Sequence, residues 1–298
     1  MPREARALAF PSAEHDNQPG EFFLRQLAAP ARVQFLASDV AIVVAHPDDE
    51  TIGCGAQLAR MRDVTIVMVS DGSPRDLIDA KANGFTTAPA YAAARRRELL
   101  RAMAIAGVPR EALICFEIPD QQLALDLEGG TRRLASLLVS RCSRVVMTHC
   151  YEGGHPDHDA TAFMVHLSAR ILARNGGRAP AVIEMPLYRE GPAGFTAQQF
   201  PTEPAGSGLT LMLSGSQRDL KRRMMAAHRT QQPVLRSFSI DAERFRLSPD
   251  YDFTELPNRG RLYYERQPWG MTGTRWIELA RNAYAALLPV APRPPTCS

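Results

Sequence analysis

Apolar positions in this chain fall into short continuous runs separated by longer amphipathic stretches. Residues 40–45 (VAIVVA) are uniformly apolar and rich in β-branched side chains, as in a strand buried on both faces of a parallel sheet. Residues 64–69 (VTIVMV) repeat the pattern and are expected to end at Asp71, Gly72 and Pro74. Further strands are predicted at 112–116, 144–147, 182–187 and 209–213. Between them, helical spacing links Ile52, Leu58 and Met61, then Glu98 to Ala106 ahead of Gly107. It returns at Leu134, Leu137 and Leu138, and over residues 158–173 before Asn175-Gly176-Gly177. Shorter helices are predicted over 21–27, from Ser216 (with Asp219 as a capping partner) to about His228, and near 276–287. The polar stretch reaching about Ala90 has no periodicity and is long enough to be a functional loop or lid.

Strand and helix alternate from Val40 to about His228. The predicted fold is therefore α/β and Rossmann-like: a doubly wound, mostly parallel sheet flanked by helices. Residues 1–235 are read as the catalytic domain, with residues 1–38 as an N-terminal extension. Residues 236–298, irregular after Pro233, are read as a C-terminal extension packed on the same domain. Such sheets bind ligands beyond the carboxyl ends of their strands, so the chemistry is expected just after each apolar run.

Composition narrows the picture by exclusion. The 298 residues are 45% hydrophobic and 22% charged, which suits a soluble globular protein. Of 35 basic residues only Lys81 and Lys221 are lysines, and the net charge is +3. The densest basic cluster, Arg95-Arg96-Arg97, is too small for a nucleic-acid footprint. No apolar run is long enough to span a membrane, and residues 1–20 lack the apolar core of a signal peptide. Cys54, Cys115, Cys142, Cys150 and Cys297 are scattered without a CxxC pair, so no disulfide framework is expected and a cytoplasmic location fits. The sequence is compatible with a homo-oligomer.

Two motifs carry the chemistry. His46-Pro47-Asp48-Asp49-Glu50 follows the first strand, and His155-Pro156-Asp157-His158 follows the fourth, after Gly153 and Gly154. A catalytic zinc needs three His, Asp or Glu ligands and one open position. An imidazole-rich set favours zinc over magnesium. A single His-Pro-Asp could be a loop histidine with Asp48 or Asp49 as a helix cap, but two such motifs at strand ends outweigh that reading. His149 reads as a packed or rim histidine, and His228 as a helix-end residue.

AHPDDE at residues 45–50 and GHPDH at 154–158 resemble the two signature motifs of the PIG-L (LmbE-like) family. Its members are zinc-dependent amidases that remove acetyl groups from N-acetylglucosamine-type sugars. Arg95-x-x-Glu98 with Ala102 and Gly107-Val108, and Ala227-His228-Arg229-Thr230-Gln231, resemble two further patches, so the likeness spans about residues 40–231. The resemblance implies His46, Asp49 and His158 as zinc ligands, Asp48 as general base, and His155 as the charge-stabilising or acid group. On this reading Asp48 takes a proton from the water that the metal activates, and a protonated His155 steadies the oxyanion. Asp157 is expected to hydrogen-bond an imidazole and fix its tautomer.

Arg95 resembles a substrate-reaching position of the family. Some members carry a tyrosine just before the second motif, and Tyr151 is the candidate to replace it. Trp269 lies in an aromatic stretch with Tyr251, Phe253, Tyr263, Tyr264 and Trp276, interleaved with Arg259, Arg261 and Arg266. That stretch suits either a sugar cleft or the cover of a sheet edge or subunit interface. The implied partner is a small amino sugar or glycoconjugate. The alternatives are a metal-dependent amidase of a non-sugar N-acyl substrate and a catalytically silent sugar-binding protein, which would need neither Asp48 nor His155.

Overall fold

A computed structural model describes residues 17–201 and 208–289. The expectations for residues 1–16 and for Cys297 lie outside the described residues. Five parallel strands, β1 (Val40–Val44), β2 (Thr65–Pro74), β3 (Leu113–Asp120), β4 (Val145–His149) and β5 (Ala181–Met185), lie in the order β3-β2-β1-β4-β5. A hairpin follows, β6 (Tyr188–Gly191) with β7 (Gly194–Ala197). The sheet is completed beyond β5 by β9 (Ala242–Leu247), antiparallel to it, and by β8 (Gly208–Met212) on the outer edge. The mostly parallel, doubly wound arrangement is the expected one.

The strand periodicity explains the two cores. All five residues of β1 are buried. Ala41 and Val43 face a cluster completed by α4 (Leu127–Ser140), α5 (Pro156–Arg174) and α7 (Gly273–Leu287). Val40, Ile42 and Val44 face the other, completed by α1 (Gln18–Ala28), α2 (Asp49–Leu58), α3 (Ala88–Ala106) and α6 (Gly215–Ala227). Trp276, Ala280 and Tyr284 of α7 are buried in the first cluster, so the C-terminal helix is part of the main core. Among the described residues no helix is long and apolar enough to cross a membrane.

Several elements differ from expectation. β2 continues through Asp71-Gly72 to Pro74, pairing Ser70 with Ile118 and Pro74 with Asp120 across two register shifts. β3 continues from Phe116 to Asp120, carried by that pairing. The supposed loop before Ala90 holds a short helix, Ile78–Ala82, and α3 already begins at Ala88 with Thr87 as its cap. The capping box of α6 is Ser214 with Gln217, because the helix starts at Gly215 and not after Ser216. β9 (AERFRL) lies in a stretch expected to be irregular, its charged residues hiding the strand pattern.

The second and third turns of α2 are interrupted at Cys54 (φ −143°, ψ 18°). Lys221 Nζ of α6 donates to the Ile52 carbonyl at 2.7 Å, and the Ala56 amide donates to Glu243 Oε1 of β9 at 2.9 Å. Lys221 and Glu243 pair at 2.8 Å, both fully buried. The ion pair thus bridges the break, a recognised cause of helix kinks. Removing one partner of such a pair strands the other charge. Glu243→Gln should lower stability by about 3–5 kcal/mol in urea unfolding. A loss under about 1 kcal/mol would mean that the pair does not support α2.

Candidate metal centre and active site

β1 and β4 are neighbours, and strand order reverses between them. Both histidine motifs leave the sheet there, at the crevice where open α/β sheets bind ligands. The β1–α2 turn holds Asp48 at φ 144°, a conformation that costs a non-glycine residue roughly 1–3 kcal/mol. Arg95 of α3 fixes this turn. Its guanidinium donates to the Gly72 carbonyl (2.6 Å), the Pro47 carbonyl (3.0 Å) and Asp48 Oδ2 (3.1 Å). Gly72 has φ +66°, and a Cβ there would lie 2.7 Å from that guanidinium. Asp48 makes no cap bond to α2, but its amide donates to Glu50 Oε2 at 3.1 Å.

His46 Nδ1 and His158 Nε2 lie 3.3 Å apart. Asp49 presents Oδ1 to His158 at 3.4 Å and Oδ2 to His46 Nδ1 at 3.5 Å. A tetrahedral ion bonded to N or O at roughly 2.0–2.2 Å separates its ligand atoms by about 3.3–3.6 Å. The three residues therefore fit a metal. His46 Nε2 meets Asp120 Oδ1 at 3.0 Å, so the carboxylate holds the proton on that nitrogen and leaves the Nδ1 lone pair towards Asp49 and His158. His158 Nδ1 is buried without a hydrogen-bond partner.

A second buried group, His46, Asp120, His155 and Asp157, also brings candidate donor atoms together. Its lone pairs are largely committed. Asp157 accepts from the amides of Gln121 (2.7 Å) and Leu123 (3.3 Å) and lies 3.3 Å from His46 Nε2. His155 Nδ1 accepts from the Asp157 amide at 3.0 Å, capping α5 and leaving the neutral ring's proton on Nε2. Burial, then the His46 charge, holds the His155 pKa well below that of a free imidazole. Burial thus opposes the charged form expected of His155 from sequence. Burial pushes Asp48 up to about 7 despite Arg95, and Asp157 up to about 6. His149 stacks on His158 at 4.2 Å and accepts from the Ala45 amide, so it packs behind the centre.

The centre opens into a cavity of about 530 Å³ lined by His46, Asp48, Asp49, Arg95, His155, His158 and Trp269 among others. Tyr151 is not among the lining residues. Its hydroxyl accepts from Trp276 Nε1 (2.6 Å) and donates to the Glu255 carbonyl (2.8 Å) in the core, which corrects its assignment to substrate. The tyrosine that faces His158 is Tyr188 of β6, its ring centroid 5.2 Å away. Gly154 permits this, since a Cβ there would overlap the Tyr188 carbonyl. Trp269 lies 4.4 Å from the His155 ring, whereas Tyr264, Phe253 and Trp276 are core residues. The two weaker sequence patches also meet: Thr230 donates through its amide and hydroxyl to Glu98, and Gln231 donates to the Tyr91 hydroxyl. Sequence reasoning missed Asp120, although it ends a strand, where chemistry is expected.

The chain is thus a doubly wound, Rossmann-like α/β domain with a buried His/Asp group at its switch point that fits a metal. The family model described as GlcNAc-PI de-N-acetylase, PIG-L, matches residues 41–168. The chain is 30% identical over 163 residues to 1D-myo-inositol 2-acetamido-2-deoxy-alpha-D-glucopyranoside deacetylase 2 of Catenulispora acidiphila. That match covers 47% of this chain and 53% of the relative, so the chain spans about half the length of the curated protein it matches. Among solved structures, the A40926 pseudoaglycone deacetylase shares the fold at TM-score 0.53 and 19% identity, covering 70% of this chain and 96% of that one. The N,N'-diacetylchitobiose deacetylase of Pyrococcus horikoshii does so at 0.52 and 19%, covering 80% and 95%.

The two buried groups predict different metal losses. His158→Ala should lose most bound zinc in folded protein, while His155→Ala should keep it, both read by elemental analysis. Stoichiometric zinc in His158→Ala, or its loss in His155→Ala, would assign the metal to the other group.

Proposed function

We propose that the chain is a zinc-dependent hydrolase that removes the N-acetyl group from an N-acetylglucosamine-type sugar or glycoconjugate. The observation that carries this reading is the His46–Asp49–His158 triangle, with metal-ligand spacing, beside Asp48 on one cavity. The activities of the similar deacetylases support it. A zinc ion held by those three residues would polarise the amide carbonyl and lower the pKa of an attacking water.

The protein's own residues supply the rest. Asp48 takes the proton from the attacking water and returns it to the departing amine. Arg95 and Glu50 hold the carboxyl and its backbone in place. His155, protonated on Nε2, donates to the carbonyl oxygen as negative charge develops there. Asp120 and Asp157 keep the His46 ring in its tautomer. A cytoplasmic setting suits the unpaired Cys54, Cys115, Cys142 and Cys150.

The test is amine release from a panel of N-acetylated sugars and N-acyl amines. Asp48→Ala should retain its metal and lose turnover by about 10²–10⁴-fold. Wild-type turnover in that variant would remove Asp48 from the mechanism. Release from N-acyl amines alone would reassign the substrate.

A further inference from the structure

The cavity carries an aromatic wall beside the metal-type centre. Tyr188 and Trp269 stand against His158 and His155, and Phe195, Phe238 and Tyr263 continue the wall from Tyr188. Tyr188, Phe195, Phe238 and Tyr263 form one cluster. Centroids are 5.4 Å apart for Tyr188–Phe195, 5.5 Å for Phe195–Tyr263, 5.8 Å for Tyr188–Tyr263 and 6.1 Å for Tyr188–Phe238. These are ordinary distances for edge-to-face and offset rings. Phe195, at the open side on β7, keeps 42% of its surface exposed. A large apolar side chain left half in water at a cavity is an incomplete contact.

The charge of the cavity points the same way. Asp48, Asp49, Asp79 and Asp120 line it, and among the described lining residues Arg95 is the only Lys or Arg. Its NH groups already serve Gly72, Pro47 and Asp48, and Asp120 lies 3.7 Å away. No lining guanidinium or ammonium remains to pair with a phosphate or carboxylate on a ligand. With the metal's charge taken up at the centre, the wall of Tyr188, Phe195, Phe238 and Tyr263 offers such a group no cation.

We propose that this cavity selects an uncharged amino-sugar glycoside whose aglycone is an aromatic ring, the ring packing against Tyr188, Phe195 and Tyr263 while the sugar's N-acetyl group reaches the centre. The assignment rests on the deacetylase reading for the sugar half and on the aromatic wall for the other half. Phe195 is then a specificity-determining residue that touches only the aglycone.

The experiment compares phenyl and methyl N-acetylglucosaminides, both anomers of each, with N,N'-diacetylchitobiose and N-acetylglucosamine 1-phosphate. Zinc-loaded protein is used, with amine release for kcat/KM and titration calorimetry for binding. The phenyl glycoside should exceed the methyl glycoside by about 10–100-fold in kcat/KM, the gain from burying one ring. The phosphate should be the poorest substrate. Phe195→Ala should shrink the phenyl-to-methyl ratio at least fivefold, a ratio that general loss of fold would not change. Equal phenyl and methyl values, preference for the phosphate or for chitobiose, or an unchanged ratio in Phe195→Ala would each overturn the proposal. If no probe releases amine but the phenyl glycoside binds more tightly, and Phe195→Ala removes that difference, the wall stands and the deacetylase reading fails.

Discussion

Asp48, Asp49, Asp120 and Asp157 are all buried within one small volume, and the architecture around them is arranged to make that burial tolerable. A buried carboxylate persists as an anion only with hydrogen bonds or opposite charge close by. Arg95 serves Asp48, the His46 amide and the imidazoles serve Asp49, His46 serves Asp120, and the Gln121 and Leu123 amides serve Asp157. Those partners come from the ends of β1 and β3 and from α3 and α5. Strand lengths are fixed accordingly. If β3 stopped at Phe116, Asp120 would not reach His46.

Much of this was legible in the sequence where the physics is periodic or local. The runs at residues 40–45 and 64–69 announced strands because helices cover both faces of the sheet. The paired His-Pro-Asp motifs announced a centre because each sits at a strand's end. Legibility failed where side-chain direction decides. Tyr151 stands four residues before His155 yet turns into the core towards Trp276. Tyr188, distant in sequence, reaches the centre because Gly154 lets its backbone come close. Within one aromatic stretch Trp269 lines the cavity and Tyr264 is fully buried, a difference that composition cannot express. β9 mixes three charged residues with three apolar ones, and its Glu243 and Arg246 are buried against partners from other elements.

The proposed centre and the aromatic wall come from different parts of the chain. His46, Asp48, Asp49, Arg95, Asp120, His155 and His158 all fall within residues 41–168, the segment that matches the family. Tyr188, Phe195, Phe238, Tyr263 and Trp269 all follow it. The walls can therefore vary without disturbing the centre, as in other folds where loops on a fixed scaffold set specificity.

That separation does not extend to the backbone. α2, which carries Asp49, is bridged at its break by Lys221 and Glu243, and both lie far beyond residue 168. A fragment cut at the limits of the family match would leave the Ile52 carbonyl and the Ala56 amide without these partners. It would also bare the edge of β4 where β5 now pairs, and remove α7 from one face of the sheet. The boundary seen by sequence comparison is thus a boundary of resemblance, and the unit that folds extends past it to the edge strands and the last helix.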